Sequence, residues 1–272
     1  MSQRIGVCSW SLQPSSPAAL GESLAACGVN ATQLALDPLR TGEWDHDATV
    51  AEFEERGITV LSGMMGTVGE DYSTLDTIRR TGGVVPDEHW PANLAAARDN
   101  ARLARELGLD LVSFHAGFLP EEPGPQRTRL IGRLRELVDV FSLEGVRTAF
   151  ETGQEHAETL AAFLDELDRD GAGVNFDPAI VILYDVGEPI AALERLAPWV
   201  RQIHVKDARR TQTPGTWGEE VPAGLGDVDW DRFFDVIGER RIDVDLVIER
   251  EAGEARVDDV ATARALVARY VR

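Results

Sequence analysis

Cysteine is scarce in this sequence. Cys8 and Cys27 are the only two cysteines among 272 residues, and both lie in apolar surroundings. Their spacing fits no metal-binding or redox motif. We therefore expect two reduced, buried thiols rather than a disulfide framework.

Long apolar runs and a targeting pattern are also missing. No apolar run reaches the roughly 18 residues that a membrane-spanning helix requires. The first residues, MSQRIGVCSW, do not follow the basic-then-apolar order of a secretory signal. We expect a cytoplasmic protein without a membrane partner.

Basic residues are few compared with acidic ones. The chain has 27 Lys and Arg against 47 Asp and Glu, which gives a net charge of −20. Such a surface repels nucleic-acid phosphates, so no nucleic-acid partner is expected. The hydrophobic content of 43% suffices for a globular core. Because we find no repeat, linker or composition shift, we expect residues 1–272 to form a single domain.

Short β-rich runs alternate with amphipathic helical patterns along the whole chain. The predicted strands are Arg4–Ser9, Ala31–Leu36, Ile58–Ser62, Leu109–Phe114, Val146–Glu151, Gly173–Asp177, Val200–Val205 and Val244–Glu249. Between them, apolar residues recur at helical spacing, most clearly over 130–141, 160–167 and 260–270. Eight strand–helix units in this length predict an α/β fold of the (β/α)8 TIM-barrel type. A doubly wound open sheet is less consistent, because no glycine fingerprint follows the first strand.

Two of the predicted strand-to-helix connections are long. They run over Gly63–Pro91 and Asp207–Val228. In a barrel both would lie on the face where active sites are built, and their glycines and tryptophans suit a lid over a small ligand.

Residues with metal-ligand chemistry end five consecutive strands. In order they are His115, Glu151, Asp177, His204 (with Lys206 two residues later) and Glu249. A barrel brings such strand ends together, and the carboxylates would repel one another without a cation between them. The oxygen-rich set, with imidazole nitrogen and no thiolate, predicts one divalent metal ion. Mn²⁺ is the preferred ion, and Mg²⁺, Co²⁺ and Zn²⁺ are also compatible.

The order of these strand ends is similar to that of a known family. With GVCSWSLQP at the first strand, the series FHAG, FETG, NFDP, HVKD and IERE resembles the xylose isomerase-like TIM barrels, the sugar phosphate isomerase/epimerase group. The likeness covers essentially the whole chain. It implies that the metal ligands are Glu151, Asp177, His204 and Glu249.

The resemblance also implies the chemistry. In such relatives the two glutamates form an acid/base pair, so Glu151 and Glu249 are the predicted catalytic residues. The expected reaction is isomerisation or epimerisation of a sugar or sugar phosphate, by proton abstraction alpha to a carbonyl through a metal-stabilised enediolate.

Five further residues are candidates for substrate binding. His115 and Lys206 could bond a hydroxyl or an oxyanion, and Glu155 lies where relatives place a substrate-contacting carboxylate. Arg210 could anchor a phosphate or carboxylate. Trp10 could pack against a sugar face. Each also has a structural interpretation, such as a helix-start charge for Glu155 or an ion pair for Lys206.

Alternatives within the superfamily remain open at this point. The AP endonucleases carry a histidine three residues after the strand-six aspartate, where this chain has Ile180, so DNA repair is not expected. Ketose epimerases tend to carry a histidine in the same loop, so a free ketose is not assured. The lysine of HVKD resembles the dehydratase-like members, which makes a lyase acting on a keto-sugar or keto-inositol the main alternative. A non-catalytic sugar-binding protein and a homo-oligomer are further hypotheses.

Overall fold

The computed structural model describes residues 3–271, and its core is a closed barrel of eight parallel strands. The barrel strands are β1 (Ile5–Cys8), β2 (Ala31–Ala35), β3 (Thr59–Met64), β4 (Leu111–Phe114), β5 (Arg147–Glu151), β6 (Ala172–Phe176), β7 (Val200–Val205) and β10 (Asp245–Ile248). Each strand pairs with its sequence neighbour, and β1 pairs with β10 to close the ring. The TIM-barrel prediction is therefore confirmed.

Helices surround the barrel and connect its strands. Their bounds are α1 (Pro17–Cys27), α2 (Asp37–Thr41), α3 (His46–Arg56), α4 (Leu75–Thr81), α5 (Trp90–Glu106), α6 (Pro125–Leu143), α7 (Ala157–Leu167), α8 (Pro178–Leu183), α9 (Pro189–Leu196), α10 (Trp230–Arg240) and α11 (Arg256–Val267). The three amphipathic patterns of the sequence correspond to α6, α7 and α11, although α11 ends three residues before Tyr270. Among the described residues, no helix has both the length and the apolarity to cross a membrane.

The two long connections contain short elements of their own. The segment after β3 includes α4, and the segment after β7 includes the antiparallel pair β8 (Asp207–Arg209) and β9 (Glu219–Val221). Asp207 holds the second segment together, because its carboxylate accepts hydrogen bonds from the Val228 amide and the Trp230 indole. Both connections lie at the carboxyl end of the barrel, above the strand ends.

A polar layer fills part of the barrel interior. The fully buried Gln33 of β2 donates from its amide nitrogen to Ser113 Oγ, at 2.7 Å. On the other side, Gln202 donates to Asn175 Oδ1 at 3.3 Å. Because these side chains satisfy one another, they can be buried without a large desolvation cost. They form the support on which the strand-end residues rest.

Candidate metal centre and active-site cavity

Four of the predicted site residues lie together at the carboxyl end of the barrel. Glu151 ends β5 and His204 lies in β7, while Asp177 and Glu249 directly follow β6 and β10. All four side chains are buried. Since parallel strands end at the same edge of the barrel, four separate segments converge on one point.

The donor atoms of this cluster are close enough to share one cation. One atom from each of the four residues lies within 4.8 Å of the others. His204 Nδ1 is 3.4 Å from Glu151 Oε1, 3.3 Å from Glu249 Oε2 and 3.8 Å from Asp177 Oδ2.

Two buried atoms of the cluster fit a metal ion. Asp177 Oδ2 and His204 Nδ1 have no hydrogen-bond partner, although Asp177 Oδ1 caps α8 by accepting from the Ala179 amide. Burial raises the pKa of Asp177 to about 6, even though His204 and Lys206 lie nearby. A cation bound between these atoms would satisfy both of them and offset the cost of burying the carboxylates.

The ring of His204 is oriented by the polar layer beneath it. Its Nε2 lies 2.8 Å from the amide oxygen of Gln33 and 2.9 Å from the amide group of Asn175. Burial lowers the pKa of His204, but Cys8, Glu249 and Glu151 outweigh it and raise the pKa well above its ordinary value, so the ring is charged while no cation is bound. Because the Gln33 oxygen can only accept a hydrogen, Nδ1 is the nitrogen that would lose its proton and bind a cation among the three carboxylates. This is the orientation that a metal-binding imidazole needs.

The two glutamates have different neighbours. Glu249 Oε1 accepts from the Trp10 indole at 2.7 Å, and its Oε2 accepts from Lys206 Nζ at 2.9 Å. Burial raises the pKa of Glu249, but Lys206 and His204 outweigh it, so the pKa lies well below its ordinary value.

For Glu151 the nearest outer partner is His115, whose Nε2 lies 3.1 Å from Glu151 Oε2. Burial and the charge of Glu249 raise the pKa of Glu151. His204 and His115 outweigh both effects and lower the pKa to about 2. Both glutamates are therefore ionised at neutral pH, as a metal ligand or proton acceptor must be.

A cavity of about 460 Å³ opens directly above the cluster. Glu151 and Glu249 are part of its wall, together with the predicted residues Trp10, His115 and Glu155. Burial raises the pKa of the half-buried Glu155 to about 7, although three nearby backbone amides lower it. The cavity thus joins the cluster to a space suited to a small ligand.

The segment after β3 covers one side of this cavity. Tyr72 Oη lies 2.7 Å from His115 Nδ1, and Glu70 Oε1 lies 3.4 Å from the same nitrogen. The segment packs backbone to backbone against the loop after β4, and a Cβ on Gly83 would clash with the Gly117 nitrogen. This arrangement agrees with the lid predicted for the connection.

Lys206 and Arg210 lie apart from the cavity wall. Lys206 is buried behind Glu249 and also binds Glu251 Oε2 at 2.6 Å. The guanidinium of Arg210 is held by Asp185 and Glu188 instead of facing the cavity. The predicted substrate contact of Arg210 gains no support from this placement, since those carboxylates engage its positive charge.

Several residues of the site were not predicted from the sequence. Glu70 and Tyr72 lie in a long connection with no periodic pattern, and Gln33 lies inside a strand rather than at its end. Glu251 had a usable signal, because it follows Glu249 by two residues in VIERE, but it was not singled out.

Comparisons with known proteins agree with the architecture. The family model for xylose isomerase-like TIM barrels matches residues 22–269. A xylose isomerase domain protein from Planctomyces limnophilus is 29% identical, with a TM-score of 0.88 over 99% of this chain and 98% of that one. No curated protein sequence matches significantly.

Two more distant structures share the fold. A D-allulose 3-epimerase from Methylomonas sp. is 15% identical, with a TM-score of 0.73 over 99% of this chain and 97% of that one. The probable 3-DHS dehydratase AsbF from Bacillus anthracis is 17% identical, with a TM-score of 0.72 over 98% and 99% of the two chains. The barrel topology and the family match over residues 22–269 show that this chain belongs to the xylose isomerase-like TIM barrels.

Proposed function

We propose that this protein is a divalent-metal-dependent isomerase or epimerase that acts on a small sugar. The observation that carries the proposal is that Glu151 and Glu249 belong both to the four-residue cluster and to the cavity wall. A ligand in the cavity would therefore meet the metal site and two ionised carboxylates at once. Relatives of the same fold include a D-allulose 3-epimerase, which is consistent with this reaction class.

The residues that would hold the metal are Glu151, Asp177, His204 and Glu249. A divalent cation there would polarise the substrate carbonyl and stabilise the negative charge that develops on its oxygen. Three carboxylates and one imidazole without a thiolate suit Mn²⁺ best, with Mg²⁺, Co²⁺ and Zn²⁺ also compatible.

Proton transfer is assigned to the two glutamates. One takes the proton from the carbon next to the carbonyl, and the other returns a proton to the opposite face of that carbon or to its neighbour. His115 contacts Glu151, while Trp10 and Lys206 contact Glu249. These contacts fix both carboxylates in place, so that little reorganisation precedes the transfer.

A lyase is the second candidate, favoured by the pair formed by Lys206 and Glu251. Burial lowers the pKa of Lys206, but the carboxylates of Glu249, Glu251, Asp177 and Glu220 outweigh it, and the lysine stays protonated. Glu251 lines the cavity and binds this ammonium group. A proton supplied through this pair would let a beta hydroxyl leave as water after the first proton abstraction.

Hydrogen exchange distinguishes these reactions. We expect the Mn²⁺-loaded protein in D₂O to replace a carbon-bound hydrogen of a ketose or keto-inositol, as followed by NMR; loss of water would indicate the lyase. Glu151→Gln and Glu249→Gln should each lower the rate by about 100-fold or more. Glu136→Gln, at a half-exposed glutamate on α6, is the matched control and should keep the wild-type rate. Wild-type exchange in either site variant with metal still bound would refute the assignment.

A further inference from the structure

The charged groups around the cavity are mostly acidic. Five glutamates belong to its wall: Glu70, Glu151, Glu155, Glu249 and Glu251. Within residues 3–271, no lysine or arginine lines the same space, and His115 is its one basic side chain. A ligand in this cavity therefore meets carboxylates on several sides.

Two cations beside Glu249 are already engaged by acidic partners. Lys206 contacts Glu249 and Glu251, at 2.9 and 2.6 Å, and lies behind them. Arg250 is paired with Glu220 and Asp259, at 2.7 and 2.8 Å. Neither group has a charge left to receive an anion from the cavity.

An adjoining cavity offers no better anion site. It shares Leu119, Gln154 and Glu155 with the first cavity, and its wall carries four arginines and four acidic side chains. Two of those arginines, Arg129 and Arg133, bind Asp87. The four arginines are thus matched in number by acidic side chains of the same wall.

A bound metal ion would not reverse this balance. Its two positive charges would be met by the carboxylates of Glu151, Asp177 and Glu249, which surround it. Glu70 and Glu251 would still face the ligand, joined by Glu155 when the pH exceeds its pKa of about 7. A phosphate or carboxylate on the substrate would have to enter a partly desolvated, acidic space, where like charges repel strongly.

The uncharged parts of the wall suit a polyhydroxy compound. Gln154, Thr152 and Tyr184 add neutral hydrogen-bonding groups, while Trp10, Phe150 and Ile180 add apolar surface. Neutral polar groups bind hydroxyls, and apolar faces pack against C–H groups.

We propose that the substrate is an uncharged polyhydroxy carbonyl compound, a free ketose or keto-polyol, and that phosphorylated and carboxylated analogues are rejected by the acidic wall. This inference rests on the proposed function, because it concerns the ligand of the same metal-containing site. It narrows the substrate class from sugars and sugar phosphates to the free compounds alone.

Calorimetry on the Mn²⁺-loaded protein tests the inference with matched pairs of ligands. The probes are D-fructose with D-fructose 6-phosphate, D-ribulose with D-ribulose 5-phosphate, an inosose as the free keto-polyol, and 3-dehydroshikimate as a carboxylate. We expect the free member of at least one pair to bind about tenfold or more tightly than its phosphate, and 3-dehydroshikimate to bind no better than the phosphates. Equal or tighter binding of the phosphorylated members, or no binding of any uncharged probe, would overturn the inference.

Variants show whether charge causes the discrimination. At pH 8, where Glu155 is ionised, Glu155→Gln and Glu251→Gln should each reduce the ratio of affinities between the free and phosphorylated ligands, whereas Glu136→Gln should leave it unchanged. An unaltered ratio in both site variants would mean that the phosphate is excluded by shape, which contradicts the proposal. The proposed function is judged separately by hydrogen exchange, so a protein that exchanges the hydrogens of sugar phosphates would refute only the inference about charge.

Discussion

At the scale of single residues, the clearest feature is how His204 is prepared for a metal. Its Nε2 faces the buried Gln33, and its Nδ1 faces Glu151, Asp177 and Glu249. Burying Nδ1 and Asp177 Oδ2 without hydrogen bonds would destabilise a core that had no other function. These two atoms are the strongest local indication of a cation site.

Gln33 should therefore control metal affinity without binding metal itself. Replacing Gln33 with leucine removes the acceptor of the Nε2 hydrogen, so we expect Mn²⁺ affinity to fall by about 10- to 100-fold in a chelator competition assay. Gln202→Leu is the control, because Gln202 is equally buried in the same layer but bonds Ser62 and Asn175 rather than His204. An equal loss of affinity in both variants would mean that the general packing of the layer, and not the His204 contact, sets affinity.

Glu155 should make the stability of the metal-free protein depend on pH. Its pKa is about 7 in the folded protein and near 4.5 when unfolded, so the unfolded chain loses its proton first. The contribution of Glu155 to the free energy of unfolding therefore falls as the pH rises from about 4.5 to 7. Glu155→Gln should raise the free energy of unfolding by about 1 kcal/mol at pH 8 and by little at pH 5. The pH 8 value is smaller than the pKa shift alone would give, because the carboxylate is only half-buried and solvent screens it.

Urea unfolding at the two pH values measures this difference. Glu158→Gln provides the comparison, since Glu158 is exposed in the first turn of α7. A gain of the same size at pH 5 and pH 8 would contradict the role given to the Glu155 proton.

At the scale of elements, the segment after β3 acts as the cover of the cavity. Only a few side-chain contacts attach its tip, notably that of Tyr72 with His115. Tyr72→Phe removes this hydrogen bond, worth about 1 kcal/mol, and should speed amide exchange several-fold over residues 66–74. Hydrogen–deuterium exchange with mass spectrometry detects this change.

The matched control for that experiment is Tyr270→Phe, which removes a hydrogen bond to Asp231 far from the cavity. It should leave exchange over residues 66–74 unchanged. Unchanged exchange in Tyr72→Phe as well would mean that backbone packing at Gly83 and Gly117, rather than the tyrosine, holds the segment.

The barrel strands could be predicted from the sequence because their apolar runs are local signals. Val200–Val205 was predicted with its observed bounds, and most other ends differ by one or two residues. β3 extends to Met64, beyond its predicted end at Ser62, since Gly63 and Met64 pair with β4. The α4 helix and the β8–β9 pair were missed because tertiary contacts, such as those of Asp207, stabilise them without a periodic pattern.

Only the part of the site that lies at strand ends could be predicted from the sequence. Glu151, Asp177, His204 and Glu249 follow or end buried strands, and the barrel makes their convergence a necessity. Glu70 and Tyr72 reach His115 only through the path of a long connection, which the sequence does not specify by pattern. Arg210 was predicted to bind substrate because of its charge and its position shortly after β7. In the structure its side chain instead pairs with Asp185 and Glu188.

At the scale of the whole molecule, the chain is acidic and so is the candidate cation site. The chain carries a net charge of −20, and the cluster adds buried carboxylates to an already acidic barrel mouth. A cation that binds the folded chain stabilises it by mass action, by about 4 kcal/mol at a thousandfold excess over its Kd. Metal binding and stability should therefore be linked in this protein.

The metal content of the purified protein tests the central claim most directly. We expect elemental analysis to find about one divalent cation per chain, Mn²⁺ in preference to the others, with occupancy reduced in Glu151→Gln and Glu249→Gln and unchanged in Glu136→Gln. A protein that stays free of metal after reconstitution with Mn²⁺, Mg²⁺, Co²⁺ and Zn²⁺ would contradict the account, as would full occupancy in both site variants.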